Sequence, residues 1–193
     1  MILGNPRNPE DTIAFIGKGV CFDTGGLNLK PTGSIENMHF DKGGACTVLS
    51  AFLGAVEMKL PVNLVCSVAI VENSMSGNAM RPKDIIKSYK GLTVEIGNTD
   101  AEGRLILADA MTYTQWNYKP KVMLEFSTLT GAVKVALGNE QAGLFSNDDS
   151  LANELFNLGQ ETHEGLWRLP ITDEHREDMK SAVADLNNKG KSM

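Results

Sequence analysis

The chain has 193 residues, with 18 Lys and Arg against 24 Asp and Glu, a formal net charge of −6. Hydrophobic residues make up 42%, enough for one globular core and, at roughly 100–200 residues per domain, one domain. The acidic balance argues against nucleic acid as a main partner, since phosphate binding wants clustered Lys and Arg, and no apolar run approaches the roughly 20 residues of a membrane helix.

The opening MILGNPRNPED carries two prolines and no apolar segment of the signal-peptide kind. Cys21, Cys46 and Cys66 are odd in number and dispersed, so they form no disulfide framework and fit a reducing compartment. Cys21 and Cys46 read as small core residues rather than nucleophiles. The expected protein is soluble, intracellular and compact. The histidines are His39, His163 and His175, and HExxH, HxH and CxxC are all missing. Any metal must therefore be held by carboxylates.

In chain order, Ile13–Ile16 and Val20–Phe22 read as two short strands separated by Gly17-Lys18-Gly19. A polar, glycine-containing loop runs from Asp23 to about Phe40. Ala45, Val48, Leu49, Phe52, Leu53 and Val56 then recur at helical spacing, with Asp41 as a start signal and Pro61 as a stop. The apolar run Val62–Val71 predicts a strand buried on both faces. Leu92–Ile96 predicts a further strand, Leu105–Met111 a helix, Val122–Phe126 a strand, Leu129–Leu137 a short helix and Leu144-Phe145 a possible strand. Helices near Ser150–Gln160 and Asp173–Leu186 complete the pattern. Alternating strands and helices indicate an α/β fold with a largely parallel or mixed sheet.

Polar loops follow several of these strands, at Asp23–Gly26, Glu72–Gly77, Gly97–Glu102 and Ser127–Gly131. Ligands of open α/β sheets sit beyond the carboxyl ends of strands, so Asp23, Asp41, Asp100 and Glu102 are candidates for chemistry. Each also has a plain structural reading. Asp41 could cap a helix, and Thr99-Asp100-Ala101-Glu102 has the capping-box pattern ahead of an apolar helix. Yet two acids one residue apart are also a way of holding a hard cation. Lys18, Lys30 and Arg104 could be solvated surface charges, although Lys18 between two glycines after an apolar run gains little as one. A dinucleotide motif fails at Phe22, which stands where a third glycine is needed, and neither GxxxxGK[ST] nor GxSxG occurs. From acids and glycines alone, a magnesium phosphohydrolase remains open.

Longer elements narrow this. Asn98-Thr99-Asp100-Ala101-Glu102-Gly103-Arg104-Leu105 resembles the signature octapeptide of the leucine aminopeptidase (cytosol aminopeptidase) family of dimetal exopeptidases. Gly17-Lys18-Gly19-Val20-Cys21-Phe22-Asp23-Thr24-Gly25-Gly26 resembles the family's GKGxxFDxGG element, and Asp41-Lys42-Gly43-Gly44-Ala45 its third metal element. Arg81-Pro82 and Thr128-Leu129-Thr130-Gly131 also fit, and the resemblance runs from about Ile13 to Asn188.

The resemblance implies a three-layer α/β/α sandwich around a mixed, largely parallel sheet. It implies that residues 1–193 are part of a catalytic domain whose N-terminal domain and C-terminal segments lie elsewhere. Lys18, Asp23, Asp41, Asp100 and Glu102 would ligate two divalent ions, zinc or manganese, with magnesium or cobalt as other options. Asp23 and Glu102 would bridge both ions, Asp100 would serve one, and Lys18 and Asp41 the other. Lys30 and Arg104 would form the catalytic pair, with bicarbonate held at Arg104 as base. Met38, Thr128, Leu129 and Gly131 match substrate-side positions. The implied activity is release of N-terminal residues, leucine-type, from peptides in the cytoplasm by a homohexamer, and the alternative is an inactive family member with a structural or interaction role. Two positions depart from the pattern. Lys42 puts a cation beside a ligand, and Cys46 stands where alanine is usual.

Overall fold

A computed structural model describes residues 1–5 and 11–191. They divide into two compact units, Met1–Leu129 with Met179 onward, and Thr130–Asp178. The first unit is built on a four-stranded sheet in the order β1-β3-β2-β6. In it β1 (Ile2–Leu3) runs antiparallel to β3 (Asn63–Asn73), whereas β2 (Thr12–Asp23) is parallel to both β3 and β6 (Val122–Phe126). The mixed, largely parallel sheet is as expected from the alternating pattern.

The two strands expected before and after Gly17-Lys18-Gly19 are instead one continuous 12-residue strand. Glycine is a poor strand former, but here the small residues permit close approach. A Cβ on Gly17 would lie 2.7 Å from the Ala45 Cα, in the helix that crosses over it. Lys18 therefore sits inside a strand, not in a loop.

A short helix α1 (Thr32–Ile35) and a 3-10 turn (Met38–Phe40) lead into α2 (Gly43–Glu57). Alternation along the strands fixes which helix covers which face. Phe15, Leu64 and Cys66 pack with Val48, Phe52 and Ala55 of α2. Ala14, Ile16 and Val65 pack with Ile106, Leu107 and Met111 of α3 (Gly103–Tyr118). The two helices thus lie on opposite faces of the sheet, giving the α/β/α layering. The α2 face is narrower than its spacing suggests: Leu53 and Val56 are exposed, Ala55 is buried, and Cys46 is exposed rather than a core residue. Cys46 follows buried Ala45 by one 100° step, which turns it off the sheet-facing side.

A second, three-stranded sheet joins β4 (Ile85–Lys87), β5 (Thr93–Glu95) and β9 (Leu186–Asn187), with β5 central. The helix expected over Asp173–Leu186 is correspondingly shorter, ending at Asp178 as α6 (Asp173–Asp178). The following segment is claimed by β5: Ser181 Oγ donates to Glu95, and the Asp185 carboxylate accepts from Thr93 N at 2.8 Å and Thr93 Oγ1 at 2.7 Å.

Lys83 at 2.7 Å and Ser181 pull the Glu95 carboxyl from its usual 4.5 down to about 2. A lowered folded value stabilises the fold above the ordinary pKa and loses that contribution as pH falls through the folded one. Glu95→Gln is therefore expected to be less stable than the parent at neutral pH, with the deficit shrinking as pH drops from 4.5 toward about 2. Denaturant titrations across that range measure it.

The second unit contains α4 (Gly131–Leu137), β7 (Ala142–Leu144), α5 (Asp149–Thr162) and β8 (Leu166–Arg168) besides α6. Its two strands pair in parallel. Asp148 caps α5 by accepting from Leu151 N at 3.0 Å, and Phe156 meets Trp167 edge-on.

Candidate metal centre

Strand β2 delivers two of the candidate groups. Lys18 points from mid-strand and is 3% exposed, and Asp23 ends the strand, where its Oδ1 accepts from Gly25 N at 2.9 Å. The turn that follows needs glycine: Gly25 and Gly26 have φ of +86° and +65°, a region L side chains disfavour. The loop closes through Lys30 N donating to Thr24 O at 2.9 Å. That return brings the Lys30 ammonium to 3.1 Å from Asp23 Oδ2 and 2.6 Å from Asp100 Oδ1.

Asp41 precedes α2 but does not cap it, because the cap position is Lys42 and no side-chain bond is made there. Its Oδ1 accepts instead from Thr128 Oγ1 at 2.6 Å, and its Oδ2 lies 2.6 Å from Lys18 Nζ. Lys42 is turned aside, its ammonium donating to the Cys21 carbonyl at 3.3 Å.

The capping-box reading of Thr99–Glu102 fails as well. Asn98, not Thr99, caps the 3-10 turn Thr99–Ala101 by accepting from Asp100 N at 2.8 Å. Glu102 sits at the cap position of α3 without a capping bond. Its Oε1 lies 3.0 Å from Lys18 Nζ. Gly103, immediately after, leaves no room for a side chain, since a Cβ there would be 2.6 Å from Lys18 Cε.

The candidate ligands thus converge from β2, the start of α2 and the loop after β5. One carboxylate oxygen each from Asp23, Asp100 and Glu102 lies within 4.8 Å of the other two. Four carboxylates face two ammonium groups here, an excess of two negative charges when all are ionised. Burial pushes the Asp41, Asp100 and Glu102 carboxyls up, and the lysines offset this only in part. Burial raises Asp23 too, but the Gly25 amide, Asn73 and Lys30 outweigh it and hold that carboxyl low. Burial disfavours the Lys30 ammonium, yet its bonds to Asp100 and Asp23 prevail and raise its pKa. Asp41 Oδ2, Asp100 Oδ1 and Glu102 Oε1 are buried and, despite their ion pairs, receive no well-directed hydrogen bond from the described residues. Such oxygens suit hard or borderline divalent cations, and among the described residues no cysteine joins the group of Asp23, Asp100 and Glu102.

Arg104 is half-buried on the first turn of α3, and its Nε is buried without a hydrogen-bond partner among the described residues. Met38 begins the 3-10 turn before Asp41 and is half-buried. Thr128, besides its bond to Asp41, offers its carbonyl to Lys18 Nζ at 3.3 Å. Leu129 is exposed, and its Cδ1 faces Gly103. Gly131 opens α4 in the second unit.

Sequence reasoning missed three asparagines. Asn73 Nδ2 lies 2.9 Å from Asp23 Oδ1, 3.0 Å from Thr99 O and 3.4 Å from Glu102 Oε2, touching two candidate ligands at once. Asn28 exchanges bonds with Thr99, accepting from its N and donating from its own N to its Oγ1, both at 2.8 Å. Asn188 holds the same loop from the other side. Of the three, Asn73 falls in the polar loop expected after the strand Val62–Val71, and the structure extends that strand to include it.

A profile of the cytosol aminopeptidase family, catalytic domain, matches residues 3–193. The probable cytosol aminopeptidase of Rickettsia felis is 50% identical over 187 residues, covering 97% of this chain and 37% of that protein. The crystal structure of cytosol aminopeptidase from Coxiella burnetii superposes with a TM-score of 0.92 at 40% identity, covering 98% of this chain and 41% of that one. The bottromycin maturation enzyme BotP in complex with Mn gives a TM-score of 0.87 at 36% identity, over 94% of this chain and 40% of its own. The chain therefore spans little more than a third of the length of the curated relatives it matches. Across that span it belongs to the cytosol aminopeptidase family, as part of its catalytic domain.

Proposed function

We propose that this chain carries the dimetal centre of a cytoplasmic aminopeptidase that releases N-terminal residues, with a leucine-type preference, from peptides. The observation that carries the reading is the convergence of Lys18, Asp23, Asp41, Asp100 and Glu102, with buried carboxylate oxygens that lack directed hydrogen bonds among the described residues. Asp23 and Glu102 would serve both ions, Asp100 one, and Lys18 and Asp41 the other. Oxygen donors and one amine choose weakly between zinc and manganese, and magnesium or cobalt could substitute. The binding of Mn by BotP, a related protein, supports manganese.

When bound, two divalent cations supply Lewis acidity and lower the pKa of a shared water. The side chains provide the rest. Lys18 would offer the lone pair of its amine. Lys30 keeps its proton, held by Asp100 and Asp23, and is a donor for the oxyanion that develops on the scissile carbonyl. Arg104 would hold bicarbonate, which supplies a base, and its buried Nε, without a hydrogen-bond partner among the described residues, is consistent with an anion there. Met38, Thr128 and Leu129 would contact substrate. A free α-amine offers a lone pair that an internal peptide nitrogen lacks, which accounts for exopeptidase selectivity. We also propose that the full-length protein is a homohexamer with active sites facing an enclosed interior.

Elemental analysis of the folded, full-length protein after saturation tests the site. Two equivalents of manganese or zinc per chain are expected, and fewer than one would contradict it.

A further inference from the structure

Asn188 is 1% exposed and lies 90 residues in sequence from the loop that carries Asp100 and Glu102. Its Oδ1 accepts from Gly97 N at 2.8 Å and Asn98 N at 3.1 Å. Its Nδ2 donates to Asn98 O at 2.7 Å and Ala101 O at 3.3 Å. Both lone pairs and both protons of the amide are therefore spent on one five-residue stretch of backbone, Gly97–Ala101. The residue is itself fixed, because its N–H donates to Glu95 O at 3.0 Å and β9 pairs with β5. The packing is tight: a Cβ on Gly97 would collide with the Asn187 side chain and lie 3.1 Å from Lys189 Cβ.

Shape, not charge, is what this contact supplies. Asp100 and Glu102 flank Ala101, whose carbonyl Asn188 holds, while Asn28 pins Thr99 from the other side. A loop free to shift would move two candidate ligands relative to Asp23 and Asp41, which are carried by other elements. We infer that Asn188 is a positioning residue for the metal centre, presetting the Gly97–Ala101 backbone so that Asp100 and Glu102 meet the other ligands. The inference rests on the dimetal reading above. It makes the segment after Met179 a working part of the site rather than a peripheral strap.

The test is manganese affinity of the metal-stripped, full-length protein, measured by calorimetry well below the melting temperature. Circular dichroism confirms folding. Asn188→Ala is expected to bind manganese at least about tenfold more weakly, the scale on which support around metal ligands acts. Asn188→Gln retains the amide chemistry but displaces it by one methylene, so it is expected to fold and to bind weakly too. Ser181→Ala loosens the same segment at the Glu95 side chain without touching the Gly97–Ala101 loop or the Asn188 amide, and its affinity should stay within about twofold of the parent, since the larger losses follow removal of groups that support the ligands themselves. A folded Asn188→Gln protein with parental affinity would overturn the inference. So would a Ser181→Ala protein as weak as the Asn188 variants, because general docking of the segment would then suffice. Failure of the parent protein to bind manganese or zinc would instead remove the dimetal reading itself.

Discussion

Lys18→Arg is expected to lower turnover at least 1,000-fold, or about 4 kcal/mol of transition-state stabilisation, and to lose one of two bound metals while secondary structure is retained. An exposed lysine would tolerate the change within about 0.5 kcal/mol. Lys18 is not exposed, and its ammonium lies 2.6 Å from Asp41 Oδ2 and 3.0 Å from Glu102 Oε1. A guanidinium keeps its proton beyond pH ~12 and has no lone pair to offer. It is also larger, in a space where even the Gly103 backbone approaches the lysine closely. Lys18→Met removes the amine without adding charge and should lose less metal than Lys18→Arg. Metal content and activity of the two variants, read together, check the assignment. Parental turnover with two metals in Lys18→Arg would contradict it.

Glu102→Gln separates ligand from scaffold. As a capping group, glutamate is replaceable by glutamine, and the structure gives Glu102 no capping bond to lose. Its carboxyl is pushed up chiefly by burial. A carboxyl whose folded pKa lies above its ordinary 4.5 costs stability once pH exceeds that value. The neutral amide relieves that cost, so the metal-free variant is expected to be at least as stable as the parent at neutral pH. Turnover is nevertheless expected to fall by roughly 1,000-fold or more, because an amide supplies no anionic oxygen to share between two cations. Thermal melts of metal-free protein and activity of metal-loaded protein measure the two halves separately. Unchanged activity would return the residue to a structural role.

Much of the site was legible because its chemistry is concentrated in short contiguous motifs. Gly17–Gly26, Asp41–Ala45 and Asn98–Leu105 each carry residues that the fold brings to one place. The loops at Asp23, Glu72, Gly97 and Ser127 do follow strand ends, although β5 belongs to a separate sheet. What escaped was long-range. Asn73 and Asn188 act through partners 26–91 residues away, and an amide that braces a distant loop leaves no local periodicity. The same holds for the helix expected over Asp173–Leu186, which stops where Ser181 and Asp185 meet β5. Gly17-Lys18-Gly19 looked like a break because glycine lowers strand propensity, yet the passage of α2 over Gly17 makes small size the requirement there. In each case tertiary contact overrode local preference.

The central claim, that these residues form a dimetal aminopeptidase site, is tested most directly by leucine release from leucinamide. Metal-stripped full-length protein should release none, and restoring manganese should restore release, while N-acetyl-leucinamide, which lacks the free amine, should remain uncleaved. A folded, manganese-loaded protein that releases no leucine, or a metal-stripped one that releases it at the full rate, would contradict the account.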